Sequence, residues 1–168
     1  MEKQGQIIAD FFAHGYRVSG NFSARQRSLG DAIYDVTTSY LTVTEAYFSV
    51  VTNPADIASN YPSATIVKKN LSFAITSNTE DSLRRDQRYG SYLKLKPTGV
   101  FITLPSFEIR GYLRIPGRID VLMLLGTQTE DFLTLIDPVA RCSYKPEISY
   151  QGGAAIINKR HISFLGLE

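Results

Sequence analysis

Apolar and polar residues alternate with a period of two over most of the chain. Val18, Gly20 and Phe22 alternate with Arg17, Ser19 and Asn21, the spacing of a strand with one face buried. Leu41 and Val43 share one face, and Thr42 and Thr44 share the other. Farther on, Ile66 is followed by a polar Lys68-Lys69-Asn70 turn and then by Leu71 and Phe73. Val100 to Leu104 reads as another strand. Ahead of these, Gln6 to His14 fits a short amphipathic helix with Ile7, Ile8, Phe11 and Phe12 on its apolar face. Residues 53–63 are rich in Pro, Asn and Ser and read as a hairpin loop. Residues 77–90 carry no apolar period and read as an exposed loop or short helix.

The pattern repeats. A shift of 91 places Tyr16-Arg17-Val18-Ser19-Gly20-Asn21-Phe22 on Phe107-Glu108-Ile109-Arg110-Gly111-Tyr112-Leu113. A shift of 92 places Tyr40-Leu41-Thr42-Val43-Thr44-Glu45 on Phe132-Leu133-Thr134-Leu135-Ile136-Asp137, and 91 returns for Ile66 to Phe73 on Ile157 to Phe164. Three collinear matches separated by loop-sized slips point to a tandem duplication. The glycines at matched strand positions, Gly20 and Gly111, imply a sharp bend or a close backbone approach. The organisation read from this is an N-terminal segment 1–15, possessing the short helix; a first unit 16–76; a charged connector with a leading strand, 77–106; and a second unit 107–168. The fold expected is all-β, two small barrels in tandem related by an internal pseudo-twofold axis.

Composition excludes more than it assigns. The 168 residues include 18 basic and 16 acidic side chains, a net charge of +2, so there is neither a strongly basic nucleic-acid tail nor an acidic disordered segment. Cys142 is the one cysteine and has no partner for an intramolecular disulfide. No apolar run approaches the roughly 20 residues of a membrane span, and the first residues lack a secretory pattern. A cytoplasmic protein without membrane partners is expected.

The repeated strand pattern resembles the Sm-like family of small five-stranded barrels, which includes bacterial and archaeal RNA-binding rings. Its first motif is similar to Val18-Ser19-Gly20-Asn21-Phe22 followed by Leu41-Thr42-Val43-Thr44-Glu45-Ala46. Its second is similar to Ile66-Val67-Lys68-Lys69-Asn70-Leu71 and to Ile157-Asn158-Lys159-Arg160-His161-Ile162. The chain is also similar to bacterial proteins of unestablished function that carry two such units. The resemblance implies association through β-edges into dimers or rings.

Lys68, Lys69, Lys159, Arg160 and His161 are the candidates for an electropositive patch on a phosphate backbone, with Tyr40 and Phe132 as candidate base-stacking aromatics. Arg84-x-x-x-Arg88 resembles the arginine motif of cyclic-di-GMP-binding PilZ barrels, which implies a nucleotide site at Arg84 and Arg88. His14 and His161 lie far apart, Cys142 has no local His, and Asp31, Asp35, Glu130, Asp131 and Asp137 lack metal-ligand spacing. No G-x-x-x-x-G-K, G-x-G-x-x-G, H-E-x-x-H or C-x-x-C motif is present. The sequence therefore predicts a non-enzymatic interaction or assembly module without cofactor or metal. Its partners are other copies of itself or another protein, with RNA or single-stranded nucleic acid as the alternative and cyclic-di-GMP sensing as a distant one.

Overall fold

In the computed structural model, which describes residues 5–25, 27–88, 90–127 and 130–168, the chain forms a single antiparallel sheet. The first half supplies β1 (Gln6–Ala13), β2 (Tyr16–Ser23), β3 (Tyr40–Val50), β4 (Ile57–Val67) and β5 (Phe73–Thr76). The second supplies β6 (Pro97–Leu104), β7 (Phe107–Arg114), β8 (Phe132–Cys142), β9 (Ser149–Gln151), β10 (Ala154–Asn158) and β11 (Phe164–Leu167). Short helices α1 (Leu29–Tyr34), α2 (Thr79–Ser82) and α3 (Ser91–Lys94) lie in the connections. Across the sheet the order is β11-β6-β7-β8-β10-β5-β1-β2-β3-β4, with β9 attached to β8.

Each half lays its strands down in the same order. The shift of 91 carries β1 onto β6 and β2 onto β7, and the shift of 92 carries β3 onto β8, end for end. The matched glycines have a matched cause. The β2–β3 register slips between Ser19 and Asn21, and the β7–β8 register slips between Arg110 and Tyr112. Opposite each slip an acidic residue takes a left-handed conformation, Glu45 at φ 50° and Asp137 at φ 49°. The resulting bulge bends the long strand and drives its backbone against the glycine. A Cβ on Gly20 would stand 3.1 Å from Thr44 O, and one on Gly111 3.1 Å from Ile136 O.

Three sequence expectations are corrected. The segment 6–13 is a strand, not a helix. His14 (φ 49°) and Gly15 (φ 80°) form a two-residue turn with both φ positive, which closes β1 onto β2 as a hairpin. Pairing with β2 and β5 splits the apolar residues that a helix would have put together. Ile7, Ala9 and Phe11 face one core, Phe12 the other, and Ile8 is 70% exposed. Second, residues 57–63 are strand. They read as loop because β4 is an edge strand paired only with β3 and exposed along most of its length, and an edge tolerates Ser, Asn and Pro62. Third, the two units are neither separately closed barrels nor related by a twofold. The sheet is continuous and open because β5 pairs with β10, Phe73 opposite Ile157 through Thr76 opposite Ala154. A twofold would join β4 to β11 by the same contact, yet those two strands end the sheet.

That joint merges two cores. Phe12, Phe73 and Ile75 of the first half are buried with Val100, Ile102, Phe107, Ile109 and Leu135 of the second half. Phe73 stacks on Phe12 at 4.3 Å and meets Phe107 edge-on at 4.9 Å. On the other face Ile156 joins Leu41, Val43 and Leu71. Residues 77–90 do carry a short helix, α2, but the segment is not simply exposed: Ser82 and Leu83 are buried, and the Ser28 hydroxyl that caps α1 also donates to Leu83 O at 2.6 Å. Among the described residues no helix is long and apolar enough to cross a membrane.

Candidate functional site

The two basic segments become 3₁₀ turns, Lys68–Asn70 after β4 and Lys159–His161 after β10. They form because each strand must turn back to reach β5 or β11, and each turn is closed by one backbone bond, Leu71 N to Lys68 O and Ile162 N to Lys159 O. The β5–β10 joint brings both turns to one end of the sheet. There they border a groove of 390 Å³, lined also by Tyr34, Tyr40, Asp131 and Phe132. The structure thus gathers Tyr40, Lys68, Lys69, Phe132 and Arg160, five of the seven residues expected in a nucleic-acid site, and Lys159 lines an adjoining 310 Å³ groove.

Their surroundings assign them different tasks. Lys68 is buried and spends its ammonium group internally, Nζ donating to Asp35 O at 2.8 Å and to Thr38 Oγ1 at 2.7 Å. Burial lowers its pKa. Lys68 therefore holds the β2–β3 connection in place, with two of its three N–H donors directed inward. Lys69 is exposed. Arg160 is exposed and reaches Asp131 at 3.3 Å, while burial lowers the pKa of Lys159. His161 clasps the joint: its Nε2 lies 3.0 Å from Lys69 O and its Nδ1 2.9 Å from the Ser72 hydroxyl. A carbonyl only accepts, so Nε2 carries a hydrogen and donates it to Lys69 O.

The aromatic pair divides in the same way. Phe132 is 6% exposed, whereas Tyr40 at the matched position is 61% exposed. The difference comes from Tyr34, whose ring lies 6.1 Å from that of Phe132 and whose hydroxyl is 2.8 Å from Thr134 Oγ1. Burial pushes the Tyr34 phenol well up. Arg84 and Arg88 point to separate neighbours. Arg84 pairs with Glu130 and lies over the Tyr34 ring at 4.5 Å; Arg88 reaches Asp31 at 3.4 Å.

Asn158 is the residue that sequence reasoning missed. It is buried between the turns, and its Nδ2 donates to Leu71 O at 3.0 Å and Lys69 O at 3.3 Å. Its own N–H donates to Ser72 O at 2.9 Å, and its Oδ1 accepts from Arg160 N. The signal was present: an amide at the position where the first unit has Val67. Among the described residues no three His, Cys, Asp or Glu side chains gather as a metal site. No family model matches this chain, and no curated protein or solved structure does either.

The other uncommitted chemistry is backbone. Lys68 N–H donates to Ser39 O beside β3, so strand alternation turns the N–H and C=O of Val67, Thr65 and Ser63 to the open side of β4. Glu168 N–H donates to Gly99 O beside β6, so those of Leu167 and Leu165 face the open side of β11. Both edges are exposed, with Phe164, Leu167 and Tyr61 among the large apolar side chains left in solvent.

Proposed function

We propose that this chain is a non-enzymatic assembly module of two Sm-like units that associates head to tail with copies of itself. The observation that carries the reading is the internal joint. It pairs the last strand of one unit, β5, with the next-to-last strand of the other, β10, and the same two kinds of strand are left open at the ends of the sheet, the last strand β11 and the next-to-last strand β4. Carrying the β5–β10 register over by the shift of 91 sets Phe164 opposite Ile66, Leu165 opposite Thr65, Gly166 opposite Ala64 and Leu167 opposite Ser63. Leu165 and Thr65, whose backbone groups face outward on each edge, then form a hydrogen-bonded pair. Pro62 stands where Gly153 donates to Thr76 O in the internal joint and supplies no N–H, so the ladder ends at Ser63. Joining unlike edges is a heterologous contact, which closes into a ring or grows as a filament.

Light scattering over a dilution series at low and high salt tests the reading. Masses above the 18.7 kDa of one chain that persist in high salt are expected, because backbone pairing and apolar burial are not screened as charges are. A single-chain mass at every concentration and salt rejects it.

A second reading is favoured by the convergence of Tyr40, Lys69 and Arg160 on one groove: weak binding of single-stranded RNA, with Tyr40 stacking on a base. Fluorescence anisotropy with mixed-sequence single-stranded RNA tests it. Salt-sensitive binding that is lost when Lys69 and Arg160 are both replaced by Ala supports it; no binding by folded wild type removes it.

A further inference from the structure

The connection between β7 and β8 leaves apolar side chains in solvent. Leu122 is 83%, Met123 55% and Leu125 37% exposed, on and beside the helical turn Met123–Thr127. In the first unit the same connection, between β2 and β3, carries α1, whose Leu29, Ala32 and Ile33 are buried. Two contacts seat α1. The connector lies on one side, close enough that a Cβ at Gly30 would clash with Ser82 O. On the other, its last residue, Tyr34, crosses the joint to cover Phe132 and Thr134 at the start of β8.

The counterparts of Phe132 and Thr134 are Tyr40 and Thr42, at the start of β3, and both are exposed. Among the described residues the second unit thus exposes Leu122 and Leu125 on this connection, and the first exposes the matching receiving surface. The internal joint shows how such a connection and such a surface fit together. We infer that Leu122, Met123 and Leu125 of one chain dock on Tyr40 and Thr42 of a second copy. This rests on the head-to-tail reading above and extends it from a backbone ladder to a side-chain contact: the β7–β8 connection of each copy closes over the β3 start of the next. Burial of this apolar surface supplies affinity that a bare four-residue ladder lacks. The direction is fixed as well, since the two surfaces are unlike.

Chemical linking tests the contact itself. A chain carrying Tyr40→Cys and Leu125→Cys is treated with a short bismaleimide; native Cys142 is buried and stays out of the reaction. A covalent ladder of multiples is expected from the double variant, and none from either substitution alone. If wild type assembles and Thr65→Pro dissociates it, yet the double variant gives no ladder, the docking inference fails while the edge reading stands. If wild type never exceeds one chain, both fail. Replacing Leu122 and Leu125 by Ser should raise the dissociation constant by about tenfold or more with an unchanged circular-dichroism spectrum. An unchanged dissociation constant also overturns the inference.

Discussion

Replacing Asn158 by Val puts into the second unit the residue that the first unit carries at the matched position, Val67, with little change in volume. Asn158 is 1% exposed, and its side chain makes three hydrogen bonds, two donated to Lys69 O and Leu71 O and one accepted from Arg160 N. Their loss is unequal. Lys69 O keeps the His161 Nε2 bond, and the Arg160 N–H lies at a turn within reach of water. Leu71 O loses its side-chain partner in a fully buried residue. One net hydrogen bond is worth about 1 kcal/mol and a stranded buried acceptor about 1–3 kcal/mol, so the variant is destabilised by about 2–4 kcal/mol. With a urea slope of about 2 kcal/mol/M, the midpoint falls by about 1–2 M. Urea titrations followed by circular dichroism measure this. A fall below about 0.3 M with an unchanged slope would refute the role of Asn158 as the polar clasp of the joint. Adding His161→Phe removes the second donor to Lys69 O, so the double variant should lose more than the two single effects combined.

Ala at Gly20 or Gly111 forces a Cβ to 3.1 Å from a carbonyl oxygen and should cost about 1–3 kcal/mol at either site by thermal or urea unfolding; a neutral result would dismiss the bulge account. Lys68→Ala should destabilise by about 1–3 kcal/mol through loss of its charge-assisted hydrogen bonds to Asp35 O and the Thr38 hydroxyl, whereas the exposed Lys69→Ala should lie within about 0.5 kcal/mol of wild type. Burial alone would raise the Asp31 carboxyl pKa, but bonds from Arg85 N–H, Ser28 N–H and the Ser28 hydroxyl, with the Arg88 guanidinium, outweigh it and hold it below 3.8. Folding thus favours the ionised form: its contribution is complete above the unfolded value and disappears as pH falls through the folded one. The stability gap between wild type and Asp31→Asn should be constant from about pH 5 to 7 and shrink below about pH 4; a gap independent of pH would contradict it.

The strands around Val18, Leu41, Val100 and the turns after Ile66 and Ile157 were legible because a half-buried strand writes its period of two into the chain. Gln6–Ala13 misled because Ile7, Ile8, Phe11 and Phe12 satisfy helical spacing equally well, and the last residues of β1 are buried on both faces, which erases alternation. Extending the shift of 91 to it would have paired it with Val100–Leu104. Residues 57–63 were invisible as strand because an edge strand open along one side needs no apolar face. The groove was half legible. Repeated basic turns pointed to the right end of the sheet, but the burial of Lys68 and Phe132 depends on Asp35, Thr38 and Tyr34, which come from a connection with no periodic signal. The joint itself was hidden because which edges meet is decided by pairing across roughly 80 residues of chain, from Phe73 to Ile157.

Two capped chains distinguish the meeting of unlike edges from that of like ones. Thr65→Pro removes an outward N–H from β4 and leaves β11 intact; Leu165→Pro does the reverse. Neither N–H serves the sheet within one chain, so each variant should fold. Sedimentation or light scattering should find each variant alone as a single chain of 18.7 kDa and an equimolar mixture at twice that mass. Dimers formed by either variant alone, or a mixture that stays single-chain while wild type assembles, would contradict head-to-tail pairing of β4 with β11.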